Sequence, residues 1–117
     1  MIAIIAALAI ATGSPAALAI APPQTPAVIT IEELPAFWRC IAHYESSDRL
    51  SVINPVTGDG GIFQIDPRTW AAYAPPGFPA RAELAGLAEQ FTVAEAIYAA
   101  DGPWPWETAD LCKGLAA

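Results

Sequence analysis

The residues of this sequence that are best suited to chemistry lie between His43 and Trp70, where the only glutamate is Glu45. A polar, glycine-rich loop follows Glu45, and after it a short apolar segment carries one amide, Gln64. A carboxylic acid held against apolar walls beside a polar crevice is the arrangement that glycoside cleavage requires. Glu45 is therefore the candidate general acid. A buried glutamine needs hydrogen-bond partners, so Gln64 either ties the loop or meets a sugar hydroxyl or N-acetyl group.

Glu45 falls near the end of a predicted helix. Apolar residues recur at intervals of three and four between Leu34 and Ser46, which predicts a helix with one apolar face. Glu45 lies on the flank of that face, seven residues after Trp38 and four after Ile41. Poor solvation there raises the pKa of a carboxyl group. The alternative is an ordinary surface glutamate, because glutamates are mostly exposed and a helix C-terminus disfavours negative charge.

A second group must stabilise the positive charge that develops during glycoside cleavage. Three aspartates are available in the same stretch, Asp48, Asp59 and Asp66. Asp48 is predicted to lie on the loop surface and Asp66 to cap a helix, whereas Asp59 is flanked by glycines with no visible partner. An N-acetyl group of the substrate is a known substitute for the second carboxylate. The sequence leaves this role open.

Other chemistries fit the sequence poorly. A hydrolase with a Ser-His-Asp triad would have to use His43, the only histidine, and the sequence has no Gly-x-Ser-x-Gly motif. A zinc site needs more ligands than one histidine and two separated cysteines. The five basic and twelve acidic residues give a net charge of −7, which argues against nucleic acid as a partner. We therefore expect no metal, no cofactor and no nucleic acid.

The elements on either side of the loop must position these groups. Turn signals predict a loop over residues 47–61, and residues 62–65 are predicted to form a strand or a tight turn. Asp66 and Pro67 predict the N-cap and first residue of a short helix that ends at Tyr73. A helical stripe follows over about residues 82–100.

Gly86 is a candidate break in that stripe, and Asp101-Gly102-Pro103 predicts its end. The tail from Trp104 to Cys112 contains two tryptophans. Tryptophan rings stack on sugars, but they also fill the cores of small domains.

The first 31 residues carry no charged side chain. An apolar run over residues 1–11, followed by the small-x-small pattern Ala17-Leu18-Ala19, predicts a signal peptide over residues 1–19. The alternative is an uncleaved membrane anchor, since no basic residue precedes the run, although the run is short for a span of about 20 residues. Residues 20–31 are predicted to be a proline-rich tether and residues 32–114 the folded domain. We expect a secreted, cell-wall localisation.

Cys40 and Cys112 are the two cysteines. In an exported protein a pair is predicted to form a disulfide, with two buried free thiols as the alternative. The disulfide would tie the end of the domain to the helix that carries Glu45.

Four short motifs stand in order along the chain: Glu45-Ser46-Ser47, Asn54-Pro55-Val56-Thr57-Gly58, Gly61-Ile62-Phe63-Gln64-Ile65 and Pro67-Arg68-Thr69-Trp70. Their order and spacing resemble the lysozyme-like and lytic transglycosylase superfamily, over about Phe37 to Cys112. Two later stretches are Ala80 to Ala85 and Val93 through Trp104, followed by Trp106 and Cys112. These later stretches are similar to the resuscitation-promoting-factor branch of actinobacteria.

The resemblance implies a mainly α fold (α+β, lysozyme-like), in which a short strand or turn segment flanks a sugar-binding cleft. It assigns the catalytic acid to Glu45, the cleft-lining amide to Gln64 and a substrate-contacting threonine to Thr69. The complete set of candidate substrate-binding residues is Gln64, Thr69, Ile62, Tyr98 and Trp104.

One departure from that branch concerns the disulfide. In the branch a cysteine directly precedes the catalytic glutamate, whereas this sequence has Tyr44 there and its cysteine at Cys40. Four residues are about one helical turn, so the bridge is expected to be kept but shifted along the same face.

The resemblance implies a secreted enzyme that cleaves the glycan strands of peptidoglycan, as a muramidase or a lytic transglycosylase, with a single glutamate as general acid and base. Its expected partners are the glycan strands and, beyond them, other wall hydrolases, and a monomer is expected. The alternative is a secreted wall-binding or partner-binding module on a lysozyme-like fold with little or no turnover.

Overall fold

Residues 29–117 are described by the structure, which is a computed structural model. Three α-helices form its frame, and they are α1 (Ala36–Ser46), α2 (Pro67–Tyr73) and α3 (Leu87–Asp101). Three short 3-10 helices accompany them, at Ile31–Glu33, Ala82–Leu84 and Glu107–Cys112. The predicted mainly helical, lysozyme-like class is confirmed. The predicted signal peptide and residues 20–28 of the predicted tether lie outside the described residues.

Helix α1 supplies one wall of the core. Most of its predicted apolar face is buried, with Phe37, Trp38 and Ile41 almost fully removed from solvent. Tyr44, in the last turn of the helix, was also predicted on that face but is 52% exposed. The helix begins at Ala36, with Pro35 as its N-cap, so the predicted start at Leu34 was two residues early. It ends where Ser47 adopts a left-handed conformation with φ of 55°. That turn directs the chain away from the helix two residues after Glu45.

An aromatic cluster around Trp38 joins the helices to the tail. The Trp38 ring is 1% exposed, and five aromatic rings pack edge to face against it with centroids 5.0–6.0 Å away. These rings belong to Phe37, Phe63, Phe91, Tyr98 and Trp106. Aromatic pairs in this geometry contribute about 0.5–1.5 kcal/mol each beyond their burial. The cluster therefore fixes α1, α3 and the tail around one centre.

The segment between α1 and α2 is a loop that contains two isolated antiparallel β-bridges. Gly60 pairs with Ile53 on one side and with Ile65 on the other. Residues 62–64 between the bridges form a tight turn, so of the two predicted alternatives, strand or turn, the turn is correct. Gln64 in this turn has φ of 50°, an uncommon conformation for a residue with a side chain.

Helix α2 forms as its capping residues predict. The Asp66 Oδ1 atom accepts hydrogen bonds from the backbone N–H groups of Arg68 (2.8 Å) and Thr69 (3.2 Å), and Pro67 is the first helical residue. Trp70 is buried, and its Nε1–H donates to the Pro79 carbonyl at 2.7 Å. The helix is therefore anchored to the core through its one tryptophan.

The predicted stripe over residues 82–100 is split at Gly86, the N-cap of α3. The Glu89 side chain accepts a hydrogen bond from the Gly86 N–H at 3.1 Å. Leu84, which the stripe places in the core, is 66% exposed because its 3-10 helix is out of register with α3. Within α3 the buried positions are Gln90, Val93, Ala94 and Ile97.

Cys40 of α1 and Cys112 of the last 3-10 helix form a disulfide, with their Cα atoms 5.8 Å apart. The predicted pairing is confirmed, and Cys40 lies about one helical turn before Tyr44, the residue next to Glu45. Cys112 is fully buried, and the Phe37 N–H donates to the Ala116 carbonyl at 2.8 Å, so the segment after Glu107 packs along α1. Within residues 29–117 no helix has the length and apolar character needed to cross a membrane.

Candidate active site

Two adjoining cavities meet beside the C-terminal end of α1. One, of about 250 Å³, is lined by Glu45, and the other, of about 260 Å³, is lined by Thr69. Asp59, Gln64 and Pro105 line both cavities, so the two form one continuous groove, which we call the cleft. Together they reach the range of about 300–1,000 Å³ that is common for small-molecule sites.

The two halves of the cleft differ in chemistry. The half beside Glu45 has mostly polar walls, to which Asn54, Thr57 and Thr108 contribute. The half beside Thr69 has an apolar floor that includes Ile65, Ile97 and Trp106. Apolar surface with a few directed polar groups is typical of ligand sites, and it matches the faces and hydroxyl edges of a sugar ring.

Glu45 occupies the polar half of the cleft and is half-buried. Its Oε2 atom accepts a hydrogen bond from the Thr108 hydroxyl at 2.7 Å. Burial raises the pKa of the Glu45 carboxyl above its ordinary value of 4.5, and the Thr108 hydrogen bond lowers it. The nearby carboxylates of Asp59 and Glu107 raise the pKa further, and the net direction is upward. A carboxyl group in this setting retains its proton to higher pH and can act as an acid.

We expect the substitution Thr108→Val to raise the pKa of Glu45 further. Valine has nearly the shape of threonine but no hydroxyl, so the hydrogen bond that favours the ionised carboxylate is lost. The measurement is a pH titration of the Glu45 carboxyl carbon by NMR. Thr92→Val is the matched control, because the Thr92 hydroxyl donates only to the Ala88 carbonyl on α3. An unchanged or lowered Glu45 pKa in Thr108→Val would contradict this account.

Gln64 both ties the loop and lines the cleft. Its Nε2 donates to the Gly61 carbonyl at 2.9 Å and more weakly to the Val52 carbonyl at 3.4 Å. Its Oε1 accepts no hydrogen bond from residues 29–117, which leaves one amide oxygen for a donor in the cleft. The tie to the loop is therefore confirmed, and contact with a sugar stays a prediction.

Three side chains from different elements hold the backbone of the turn that carries Gln64. The buried Gln90 amide of α3 accepts from the Ile62 N–H at 2.8 Å, and the Ser46 hydroxyl of α1 donates to the Ile62 carbonyl at 2.8 Å. The Trp106 Nε1–H donates to the Phe63 carbonyl at 2.9 Å. These buried hydrogen bonds fix the left-handed turn, since each would be costly to break.

Of the predicted substrate-binding residues, Gln64 and Thr69 lie in the cleft and three do not. Ile62 is fully buried because its side chain packs into the core, so only its backbone supports the site. Tyr98 packs on Phe37 and lines two other cavities rather than the cleft. Trp104 is 87% exposed and lines neither half of the cleft.

Thr108 and Glu107 also line the Glu45 cavity, although no local sequence pattern singles them out. Both reach Glu45 because the disulfide holds the tail against α1: Thr108 lies four residues before Cys112, and Glu45 lies five residues after Cys40. The cysteine pair was therefore the one sequence signal that could have identified them.

Side chains of the kinds that bind metal ions do not cluster in the described part of the chain. Within residues 29–117 no three His, Cys, Asp or Glu side chains are grouped to hold a metal ion. His43 is exposed, and its ring packs edge to face on Tyr44 rather than lining the cleft.

Comparison with known proteins points to one family. The family model of the transglycosylase-like domain matches residues 34–109. Resuscitation-promoting factor Rpf2 of Corynebacterium glutamicum is 37% identical over 76 residues, which cover 63% of this chain and 20% of that protein. The chain therefore spans about one fifth of this relative's length. The matched residues 34–109 include α1, the loop, all of the cleft residues and Thr108.

Proposed function

The chain belongs to the transglycosylase-like domain family, and on that premise we propose that it cleaves the glycan strands of bacterial peptidoglycan. The observation that carries this proposal is the setting of Glu45, a half-buried carboxyl with a raised pKa in a cleft of sugar-binding character. We propose that Glu45 is the general acid and that the side chains of Gln64 and Thr69 bind the sugar. Export to the cell surface is part of the proposal, and the disulfide supports it because disulfides persist mainly in oxidising compartments.

Glu45 protonates the oxygen of the scissile glycosidic bond. The bond breaks, its electron pair stays with the leaving oxygen, and the anomeric carbon becomes oxocarbenium-like. The ionised Glu45 then removes a proton from the incoming hydroxyl group as that group bonds to the anomeric carbon. If the hydroxyl is the sugar's own 6-hydroxyl, the product is a 1,6-anhydro end, and if it is water, the product is a reducing end.

We expect the purified protein to create new chain ends in purified peptidoglycan. Mass spectrometry of the released fragments identifies them, since a hydrolysed end is heavier than a 1,6-anhydro end by one water. The alternative function, a wall-binding module with little turnover, draws on the exposed Trp104 as a stacking surface. If the protein sediments with the wall but releases neither kind of end, the result would favour the wall-binding module and overturn the proposed glycan cleavage.

A further inference from the structure

The carboxylate of Asp59 faces the cleft and makes no hydrogen bond or ion pair with the described residues. Asp59 is half-buried, and it lines both halves of the cleft, including the cavity that contains Glu45. From residues 29–117 its carboxylate accepts no hydrogen bond and forms no ion pair. No structural role therefore occupies this carboxylate, and it is available to a ligand in the cleft.

The other two candidate aspartates differ from Asp59 on this point. Asp66 also lines the cleft, but its Oδ1 is used to cap α2 through two backbone hydrogen bonds. Asp48 is exposed in the left-handed turn after α1 and lines neither cavity. Of the three aspartates between Glu45 and Trp70, Asp59 is the one that shares the Glu45 cavity.

The backbone around Asp59 is held on both sides. Its carbonyl accepts from the Asn54 N–H at 2.8 Å, and the preceding Gly58 carbonyl accepts from the Arg81 guanidinium at 2.8 Å. The following residue, Gly60, forms both β-bridges of the loop. Such a backbone fixes the point at which the Asp59 side chain enters the cleft before substrate arrives.

The close packing behind the loop requires a glycine after Asp59. Glu83 is buried, forms an ion pair with Arg81, and packs directly against Gly60. A Cβ atom at Gly60 would overlap the Glu83 carboxylate and lie 2.9 Å from its Cδ. The loop therefore rests on Glu83 and Arg81, with Asp59 turned toward the cleft.

We propose that Asp59 is a second catalytic carboxylate, which faces the anomeric carbon and stabilises its positive charge while Glu45 protonates the leaving oxygen. This inference rests on the proposed function. Asp59 neither gains nor loses a proton in the step: the proton that Glu45 gives to the leaving oxygen is replaced by one from the incoming hydroxyl. A fixed negative charge beside the reacting carbon is worth more in a partly enclosed cleft than in water.

The test is the substitution Asp59→Asn, which keeps the shape of the side chain and removes its charge. We expect the rate of release of new ends from purified peptidoglycan to fall by about a hundredfold or more, with sedimentation of the protein on the wall unchanged. Asp59 and Glu107 are the two carboxylates that raise the pKa of Glu45. Removing one of them lowers that pKa, so the alkaline limb of the residual pH–rate profile moves to lower pH. Asp59→Glu, which restores the charge, should recover part of the rate.

Asp48→Asn is the matched control, since it removes one negative charge outside the cleft and should leave rate and pH profile unchanged. Wild-type rate in Asp59→Asn, together with an inactive Glu45→Gln, would overturn the role of Asp59 and leave the proposed function standing. If the wild-type protein makes no new ends, the proposed function and the role of Asp59 are both wrong. Because the Asp59 carboxylate makes no hydrogen bond or ion pair in the described structure, Asp59→Asn should not lower the unfolding temperature.

Discussion

Replacing Glu45 by glutamine is expected to remove nearly all release of soluble fragments from purified peptidoglycan. Glutamine fills the same space and can still accept the Thr108 hydrogen bond, but it has no proton to give to the leaving oxygen. General acid catalysis contributes about 10²–10⁴-fold to a rate, and we expect a loss in that range, measured as initial release of new reducing or 1,6-anhydro ends.

The same substitution is expected to leave the fold intact and to stabilise it slightly at neutral pH. The folded-state pKa of Glu45 lies above its ordinary value of 4.5, so the folded protein holds that proton more tightly than the unfolded chain. Stability therefore falls as pH rises through the interval between the two pKa values, and the neutral amide removes this loss. Thermal unfolding followed by circular dichroism at pH 5 and pH 8 measures both effects.

Glu95→Gln is the matched control, because Glu95 is an exposed glutamate of α3 outside the cleft. It should keep full activity and show no comparable gain in stability at neutral pH. Undiminished cleavage by Glu45→Gln would remove Glu45 from the mechanism, whatever the stability measurements show.

Loss of the disulfide has the second largest expected effect, and it acts on stability. Cys40 and Cys112 are 72 positions apart in the sequence, and a bridge of that span stabilises a fold by about 4 kcal/mol in the chain-entropy model. Small domains have about 5–15 kcal/mol in total. The double substitution Cys40→Ser/Cys112→Ser should therefore lower the free energy of unfolding in urea by a large part of its wild-type value.

The effect should extend to the site, because the bridge holds the 3-10 helix that carries Thr108 against α1. Treating the wild-type protein with reductant should reproduce the loss of stability, while the serine variant should not respond to reductant. A loss below about 1 kcal/mol would mean that the packing of the tail, rather than the bridge, supplies the stability measured.

Local sequence patterns predicted the helices well. The apolar period predicted α1 to within two residues, Asp66 and Pro67 predicted the start of α2, and Gly86 predicted the break before α3. These signals depend on neighbours along the chain, namely side-chain spacing and caps that satisfy nearby N–H groups. The error at Leu84 has the same origin, because one periodic stripe was extended across that break.

The composition of the cleft needed the tertiary structure. Glu45 and Thr108 are 63 residues apart yet share a hydrogen bond, and the loop brings Asp59 across to the same cavity. Spacing along the chain cannot reveal such neighbours. The two tail tryptophans make the same point: Trp106 is buried against Trp38, whereas Trp104 is exposed, although they are two positions apart.

The sequence alone determined the elements, the candidate acid and the cysteine pair, because each of these depends on residue type and local order. The tertiary structure alone decided which carboxylates lie in the same cavity as Glu45, which polar groups surround it, and which of the candidate substrate-binding residues line the cleft. The physical reason is that burial and charge–charge interactions, which set the pKa of Glu45, depend on distances through space that only the folded chain defines.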